Sequence, residues 1–390
     1  MSDHVPEQEL VARRDRLAER MQEAGIDALY VQPSADLEYL TGMERDLPSF
    51  GLHGYPHGWV VGAFIVPDAE PLFVLPRMVV AFHLWGVEPP RCITVNESDD
   101  GSALFAKAAR SLGTIGRLGV GDRTWGETMI ELGHALPGVE LVNGTPLVNR
   151  LRRVKSPLEL ELMTAACRIV DGTMAAVTAL VQPGVSMSDL AEAVEREMRL
   201  RGSRTPSFTT HLFSYGYPQS HDSQTPTGLE PIREGEAVMF DFGAVHASGY
   251  SSDFGRTIVA GEPPARYEEA YAAMLAAQEA GRAAAVPGAR CSEVNAACRA
   301  PIEEAGFGPY FRHRMGHGIG LNVHEEPYIS VEDSTPLAVG MAFTDEPSIF
   351  WDGHFGVRCE DVVVCAEGGG RVLNEYPKES VVNDVAAKGA

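Results

Sequence analysis

Apolar residues along this chain recur with two different periods, and the change between them divides it. In the first 150 residues, helical and extended patterns alternate. Residues 13–24 (RRDRLAERMQEA) read as an amphipathic helix stopped by Gly25, followed by a strand at 28–31 and a new segment opening at Pro33. Two apolar runs, 59–66 and 72–75, flank the turn 67–71 (PDAEP) and predict a hairpin. A further strand begins at Leu118, a helix runs to about Leu136, and 139–142 is again extended. Such alternation predicts an α/β domain.

A boundary falls at 147–157, where a basic run (NRLRRVK, 149–155) precedes a helix start. Ser156 is placed to cap that helix, Pro157 suits its first turn, and Glu159 completes a capping box. Leu158, Leu162, Ala165, Ala166 and Ile169 then follow helical spacing. Pro183 and Gly184 close this segment, Ser186 and Asp189 start another, and its apolar face (Leu190, Val194, Met198) ends at Gly202. Residues 267–285 and 292–305 give two more helices, interleaved with apolar strands. The expected organisation is two domains, 1–150 and 151–390, the second a sheet covered by helices.

The strands of the second domain carry charge where none is expected. AVMFDFG (237–243) is a buried-strand pattern containing Asp241. After a turn at 243–250, SSDFGRTIV (251–259) carries Asp253 on a second strand, so a hairpin is expected to set the two carboxylates opposite each other. His317 lies between glycines, which let the backbone approach closely. Glu346 and Glu360 belong to two further strands, expected to be joined by an aromatic, Gly-rich turn, with Arg358 sharing the face of Glu360. Any one of these residues alone would be a turn former, a solvated face or a loop. Together they place several charges on apolar strands, where an unpaired charge costs several kcal/mol. Four carboxylates in one pocket need a cationic partner. Two divalent ions about 3.5–4 Å apart would supply it and acidify a shared water. Carboxylate and imidazole donors suit Mn²⁺ or Co²⁺, and Zn²⁺ or Fe²⁺ as well.

Composition narrows the remaining options. The chain has 390 residues, 44% of them hydrophobic, which suits a two-domain enzyme with a sizeable core. Its net charge of −22 excludes a phosphate-binding surface of the nucleic-acid type. Six cysteines without C-x-x-C spacing read as reduced and buried. Neither a signal-peptide pattern nor a membrane-length apolar run is present, so a cytoplasmic protein is expected, with a disordered tail from Val381.

FDFG, SSDFGRT, HRMGHGIGLNVHEEP, TDEPSIF and GVRCEDVVV closely resemble the pita-bread metallopeptidases, which include methionine aminopeptidase, aminopeptidase P and prolidase. AGIDAL (24–29) and LEYLTG (37–42) resemble the amino-terminal domain of aminopeptidase P, prolidase and creatinase, which methionine aminopeptidases lack. The resemblance implies an α/β N-terminal domain and an α+β pita-bread domain with a curved antiparallel sheet. It makes Asp241, Asp253, His317, Glu346 and Glu360 the metal ligands and Glu346 the proton carrier. It also implies that Arg358 holds Glu360, and that His324 and an upstream histidine, His221 with His211 as competitor, steady the carbonyl oxygen. Gly255 and Met315 stand where threonine is common, and Ser348 where glycine is usual. The implied activity is hydrolysis of the bond before proline in short peptides by an Xaa-Pro dipeptidase or aminopeptidase. The implied assembly is a homodimer, bordered by the loop His53 to Trp59. Other uses of the scaffold are a creatinase-like C–N hydrolase, a sulfonium lyase or a non-catalytic binding protein. Intact ligands count against the first and last of these, and the HEEP segment against the lyase.

Overall fold

The computed structural model describes residues 4–45, 57–216 and 219–383. The chain divides into two compact units, residues 2–152 and 153–390.

In the first unit α1 (Glu7–Ala24) ends at Gly25, whose φ of 63° is the left-handed cap that glycine adopts without strain. Then come β1 (Ala28–Val31), α2 (Ala35–Thr41), β2 (Gly62–Ile65), β3 (Leu72–Pro76), β4 (Cys92–Val95), α3 (Gly101–Arg110), β5 (Arg117–Val120), α4 (Gly126–Ala135), β6 (Glu140–Asn143) and α5 (Thr145–Arg152). The strands form one mixed sheet in the order β4-β3-β2-β1-β5-β6. The hairpin expected around 67–71 is the antiparallel pair β2–β3. Of the loop expected to border a partner, His53 to Pro56 lie outside the described residues. Trp59 is buried in the core of its own unit, packed against Phe105.

The second unit opens with α6 (Pro157–Val177), whose Ser156–Glu159 capping box is complete. It continues through α7 (Met187–Leu200), β7 (Thr205–Pro206), β8 (His211–Phe213), β9 (Glu236–Phe242), β10 (Ala244–Val245), β11 (Phe254–Ala260), α8 (Tyr267–Ala284) and α9 (Cys291–Glu304). The last strands are β12 (Gly316–Gly318), β13 (Glu325–Ile329), β14 (Ala342–Asp345), β15 (Ser348–Trp351), β16 (Phe355–Arg358), β17 (Asp361–Val364), β18 (Arg371–Val372) and β19 (Val381–Asn383). Two sheets matter for the site, β19-β11-β9-β8 and β13-β12-β14-β17-β18. One apolar cluster packs α6 and α7 against β9 and β11, and a second packs α8 and α9 against β14 and β17. Val381–Asn383, expected in a disordered tail, instead pair in parallel with β11; residues 384–390 lie outside the described residues. No helix among the described residues is long and apolar enough to cross a membrane.

Two expectations about strands are corrected. Asp253 lies just before β11, and Asp241 pairs with Gly255, so the two carboxylates are diagonal rather than opposite. The segment around Glu346 and Glu360 is not one hairpin. β14 pairs with β17 and β15 with β16, with the two glutamates at the breaks between strands. Pro347, with no N–H to donate, accounts for the break after Glu346. His317 is the middle residue of β12, and a register shift follows it.

Arg256 on β11 binds the two sheets together. Its guanidinium donates to Asp361 Oδ1 at 2.8 Å, to the Glu360 carbonyl at 2.8 Å and to the Tyr376 carbonyl at 3.0 Å. Burial pushes the Asp361 carboxyl up, but Arg256 and then Lys378 outweigh it and hold it below the usual value. Breaking a buried pair leaves an uncompensated charge, so Arg256→Met should cost about 3–5 kcal/mol in chemical denaturation at pH 7. A depressed carboxylate stabilises above its unfolded pKa of about 4 and loses that contribution as pH falls through the folded value. The gap between wild type and variant should therefore shrink in acid. A gap under 1 kcal/mol at pH 7 would remove the pair from the account.

Candidate metal centre

Five strand ends meet at one cleft of about 460 Å³, lined by Asp241, Asp253, His317, His324, Glu346 and Glu360, together with Phe208, His313, Arg314, Phe350 and Arg358. Asp241 sits near the end of β9, Asp253 before β11 and His317 within β12. Glu346 follows β14, and Glu360 precedes β17. Carboxylates at strand breaks leave most ladder hydrogen bonds intact while turning the side chains inward.

Glycines make the convergence possible. A Cβ at Gly255 would lie 2.9 Å from Arg358 Cδ and 3.1 Å from Glu360 Oε2, and one at Gly316 would lie 1.8 Å from the Thr344 carbonyl. Gly255, one of the departures from the resembled pattern, is thus the gap that admits Glu360. Mutual hydrogen bonds between Gly255 and Glu360, 2.9 and 3.3 Å long, fix the glutamate there. Ser348, another departure, accepts from Arg358 Nε at 2.9 Å, whereas Met315 is buried in the apolar cluster of α8 and α9.

His317 Nδ1 donates to the Gly318 carbonyl at 3.1 Å, which turns Nε2 toward Asp253 Oδ2 (3.5 Å) and Glu346 Oε1 (3.3 Å). Thr344 donates its hydroxyl to Glu346 Oε1 at 3.1 Å and accepts from the His317 amide at 3.0 Å. Arg358 pairs with Asp241 and stands 3.8 Å from Glu360 Oε2 and 3.9 Å from Glu346 Oε2. The expectation that Arg358 holds Glu360 is thus adjusted, because its closest carboxylate is Asp241. The His324 ring lies 3.9 Å from that of His317, centre to centre.

The electrostatics show a site short of positive charge. Burial pushes the Asp241 carboxyl up to about 6, with Arg358 opposing and Asp253 and Glu346 adding to the rise. Glu360 is raised well above the usual range by burial and then by its three acidic neighbours. Burial also disfavours ionised Glu346, but His317, Arg358 and His313 outweigh it and hold it low. Burial opposes a charged His317, yet Asp253 and Glu346 raise its pKa. Burial and the charge of His317 lower His324.

Asp253, His317 and Glu360 each offer a ligand atom, all within 4.8 Å of one another. Asp253 Oδ1 and Glu360 Oε2 are buried without a hydrogen-bond partner among the described residues. Orphaned carboxylate oxygens that converge this way cost energy unless a cation meets them, so the donor set fits a divalent metal.

His221 stays outside the cleft lining. Its ring is fully buried, with Nδ1 3.1 Å from Glu236 Oε1 and Nε2 2.6 Å from Arg233 Nη2. His211, its competitor, pairs across the strands with Asp241 and contributes to lowering that carboxyl. Residues not anticipated are Thr344, His313, Arg314, Phe208 and Phe350. Thr344, Glu346, Ser348 and Phe350 follow a period of two, a signal readable on either side of Glu346. His313 is half-buried and pushed down to about 4 by loss of solvent, although Glu346 opposes. It belongs to the same short run as His317, as does Arg314.

Known proteins share this architecture. The family description "Metallopeptidase family M24" matches residues 161–367, and "Creatinase/Prolidase N-terminal domain" matches 13–154. The Xaa-Pro dipeptidase of Pyrococcus furiosus is 30% identical over 372 residues, 94% of this chain and 99% of its own. Among solved structures, the Xaa-Pro dipeptidase from Bacillus anthracis superposes with a TM-score of 0.82 at 28% identity, covering 96% of this chain and 99% of that one. Dipeptidase PepE from Mycobacterium ulcerans gives 0.80 at 30% identity, covering 98% and 100%. With more than half of its length matched by the first description and its amino-terminal unit by the second, this chain belongs to metallopeptidase family M24.

Proposed function

We propose that the protein is a metal-dependent exopeptidase that hydrolyses the bond before proline in short peptides, as an Xaa-Pro dipeptidase or Xaa-Pro aminopeptidase. The observation that carries this reading is the convergence of Asp241, Asp253, His317, Glu346 and Glu360 in one cleft where Asp253 Oδ1 and Glu360 Oε2 are buried without a hydrogen-bond partner among the described residues. The names of the Pyrococcus furiosus and Bacillus anthracis relatives support the proline preference.

These five side chains would hold two divalent ions, with manganese or cobalt expected, and bound ions would supply Lewis acidity and an acidified water. Everything else falls to the chain. Glu346 is steadied by Thr344 and faces the cleft, so it is positioned to take a proton from the attacking water and return it to the leaving nitrogen. Arg358 holds Asp241 ionised and offsets the acidic cluster. His324 lines the cleft beside His317 and can donate to the carbonyl oxygen as charge develops there. That role is also expected of His221, which is buried against Glu236 and is not among the residues lining the cleft. The reading carries with it a cytoplasmic homodimer, and gel filtration of the purified protein tests the assembly.

Metal-stripped protein reloaded with Mn²⁺ or Co²⁺ should cleave Ala-Pro, with Ala-Pro-Ala and Ala-Ala run alongside. Cleavage of Ala-Pro alone makes it a dipeptidase for proline substrates, and cleavage of the tripeptide an aminopeptidase. Faster cleavage of Ala-Ala than of Ala-Pro would overturn the proline preference, and no cleavage of any would overturn the peptidase reading.

A further inference from the structure

The His324 ring makes no hydrogen bond among the described residues, so its place beside His317 depends on the backbone that carries it. That backbone is the turn from Asn322 to Glu325, between β12 and β13. The Glu325 carboxylate closes it. Oε2 accepts from the Asn322 amide at 3.4 Å, and Oε1 accepts from Lys155 Nζ at 2.8 Å. Both side chains of this ion pair are shut away from solvent, 1% exposed for Lys155 and 7% for Glu325. Gly320 makes room for the pair, since a Cβ there would lie 2.7 Å from Glu325 Oε1 and 3.2 Å from Lys155 Cε.

Lys155 is not among the residues lining the cleft, and it is fixed from behind. Its amide donates to the Gly340 carbonyl at 3.0 Å, and Val154 bridges to Met341. Further along, Glu159 Oε1 accepts from the Tyr250 hydroxyl at 2.7 Å, shortly before Asp253. The segment that opens the second unit therefore grips the turn from a rigid base. Arg153 also pairs with Glu326, but that carboxylate is 43% exposed and solvent screens the contact. Removing the lysine charge would leave a buried carboxylate without its cation, and such a group turns toward water. Here that movement opens the turn under His324.

We propose that Lys155 is a positioning residue, which through Glu325 holds the 322–325 turn closed and keeps His324 in place for the substrate carbonyl oxygen. This inference rests on the role given to His324 in the peptidase reading.

The test is a double-mutant cycle on Mn²⁺-loaded full-length protein with Ala-Pro, using wild type, Lys155→Met, His324→Ala and the two together. His324→Ala should lower kcat by about a hundredfold, as for loss of one oxyanion donor. Lys155→Met should lower kcat by about ten- to a hundredfold with KM changed by less than about threefold, because a misplaced donor fails in the transition state. In the His324→Ala background the same exchange should cost less than about threefold more, since its effect runs through the imidazole. The Mn²⁺-induced rise in Tm should be retained in Lys155→Met, whereas general damage to the ligand strands would reduce it. Thermal unfolding checks each variant, and if Lys155→Met is unfolded at the assay temperature, Glu325→Gln weakens the same contact and takes its place in the cycle. Losses that multiply in the double variant, or wild-type kcat in the single one, overturn the positioning role and leave the peptidase reading standing. A wild type that cleaves no Ala-Pro removes both.

Discussion

Glu346→Gln should lower kcat on Ala-Pro by about a thousandfold or more while leaving the fold intact, because general acid–base groups contribute about 10²–10⁴-fold and the proposed function also makes this one a metal ligand. Glutamine keeps the shape of the side chain and can still accept the Thr344 hydroxyl bond, 3.1 Å long in the wild type. It removes the charge that faces His317 Nε2 at 3.3 Å and the site at which a proton can be taken up. The check is initial-rate kinetics at saturating Mn²⁺, with circular dichroism to confirm folding. Activity within tenfold of wild type would mean that another group moves the proton. His313, 3.9 Å from Glu346 Oε2, would be the first to test.

Metal removal should be nearly as costly, and its effect on stability can be measured without any substrate. A ligand that binds only the folded state at a hundred times its Kd stabilises by about 2.7 kcal/mol, and for a unit of this size that is a rise in Tm of about 5–10 °C. Saturating Mn²⁺ should produce such a shift in wild type and a much smaller one in Asp253→Asn, which removes a charge from the Asp253, His317 and Glu360 cluster. The shift should shrink between pH 7 and pH 5. Burial has raised the Asp241 carboxyl to about 6. A carboxyl raised in the folded state adds stability that is full below its unfolded pKa and lost as pH rises through the folded value. Protein without metal therefore gains stability on acidification at this group, while protons compete with the ion for the same oxygens. Differential scanning fluorimetry at both pH values, with and without Mn²⁺, reads this directly. A shift equal in Asp253→Asn and wild type would place the ion elsewhere.

The two predictions depend on residues that were recognisable for different reasons. Asp241 stands out in the sequence because an aspartate inside AVMFDFG has no business in a buried strand without a partner. His317 stands out because glycines flank it. The Ser156–Pro157–Glu159 cap was equally plain, since a capping box depends on a few adjacent residues and little else. Thr344 was missed, although it follows the same period of two as Glu346, because a hydroxyl on a strand gives no sign of its partner. The surroundings of His221 were illegible for a related reason. Its position in the chain says nothing of Glu236, whose carboxylate lies 3.1 Å from its ring and whose strand begins fifteen residues later.

The sequence by itself pointed to most local elements, to a two-part chain and to five charged or imidazole side chains that line one cleft in the structure. Each of these follows from periodicity, capping and the cost of a charge on an apolar strand, all of which act over a few neighbouring residues. Only the tertiary structure decided how those residues meet. It paired Asp241 with Gly255 instead of Asp253, split the Glu346–Glu360 segment into two strand pairs, and drew β19 onto β11. Register and pairing are fixed by packing among residues up to a hundred or more positions apart, as between Gly255 and Glu360, and no local pattern carries that information.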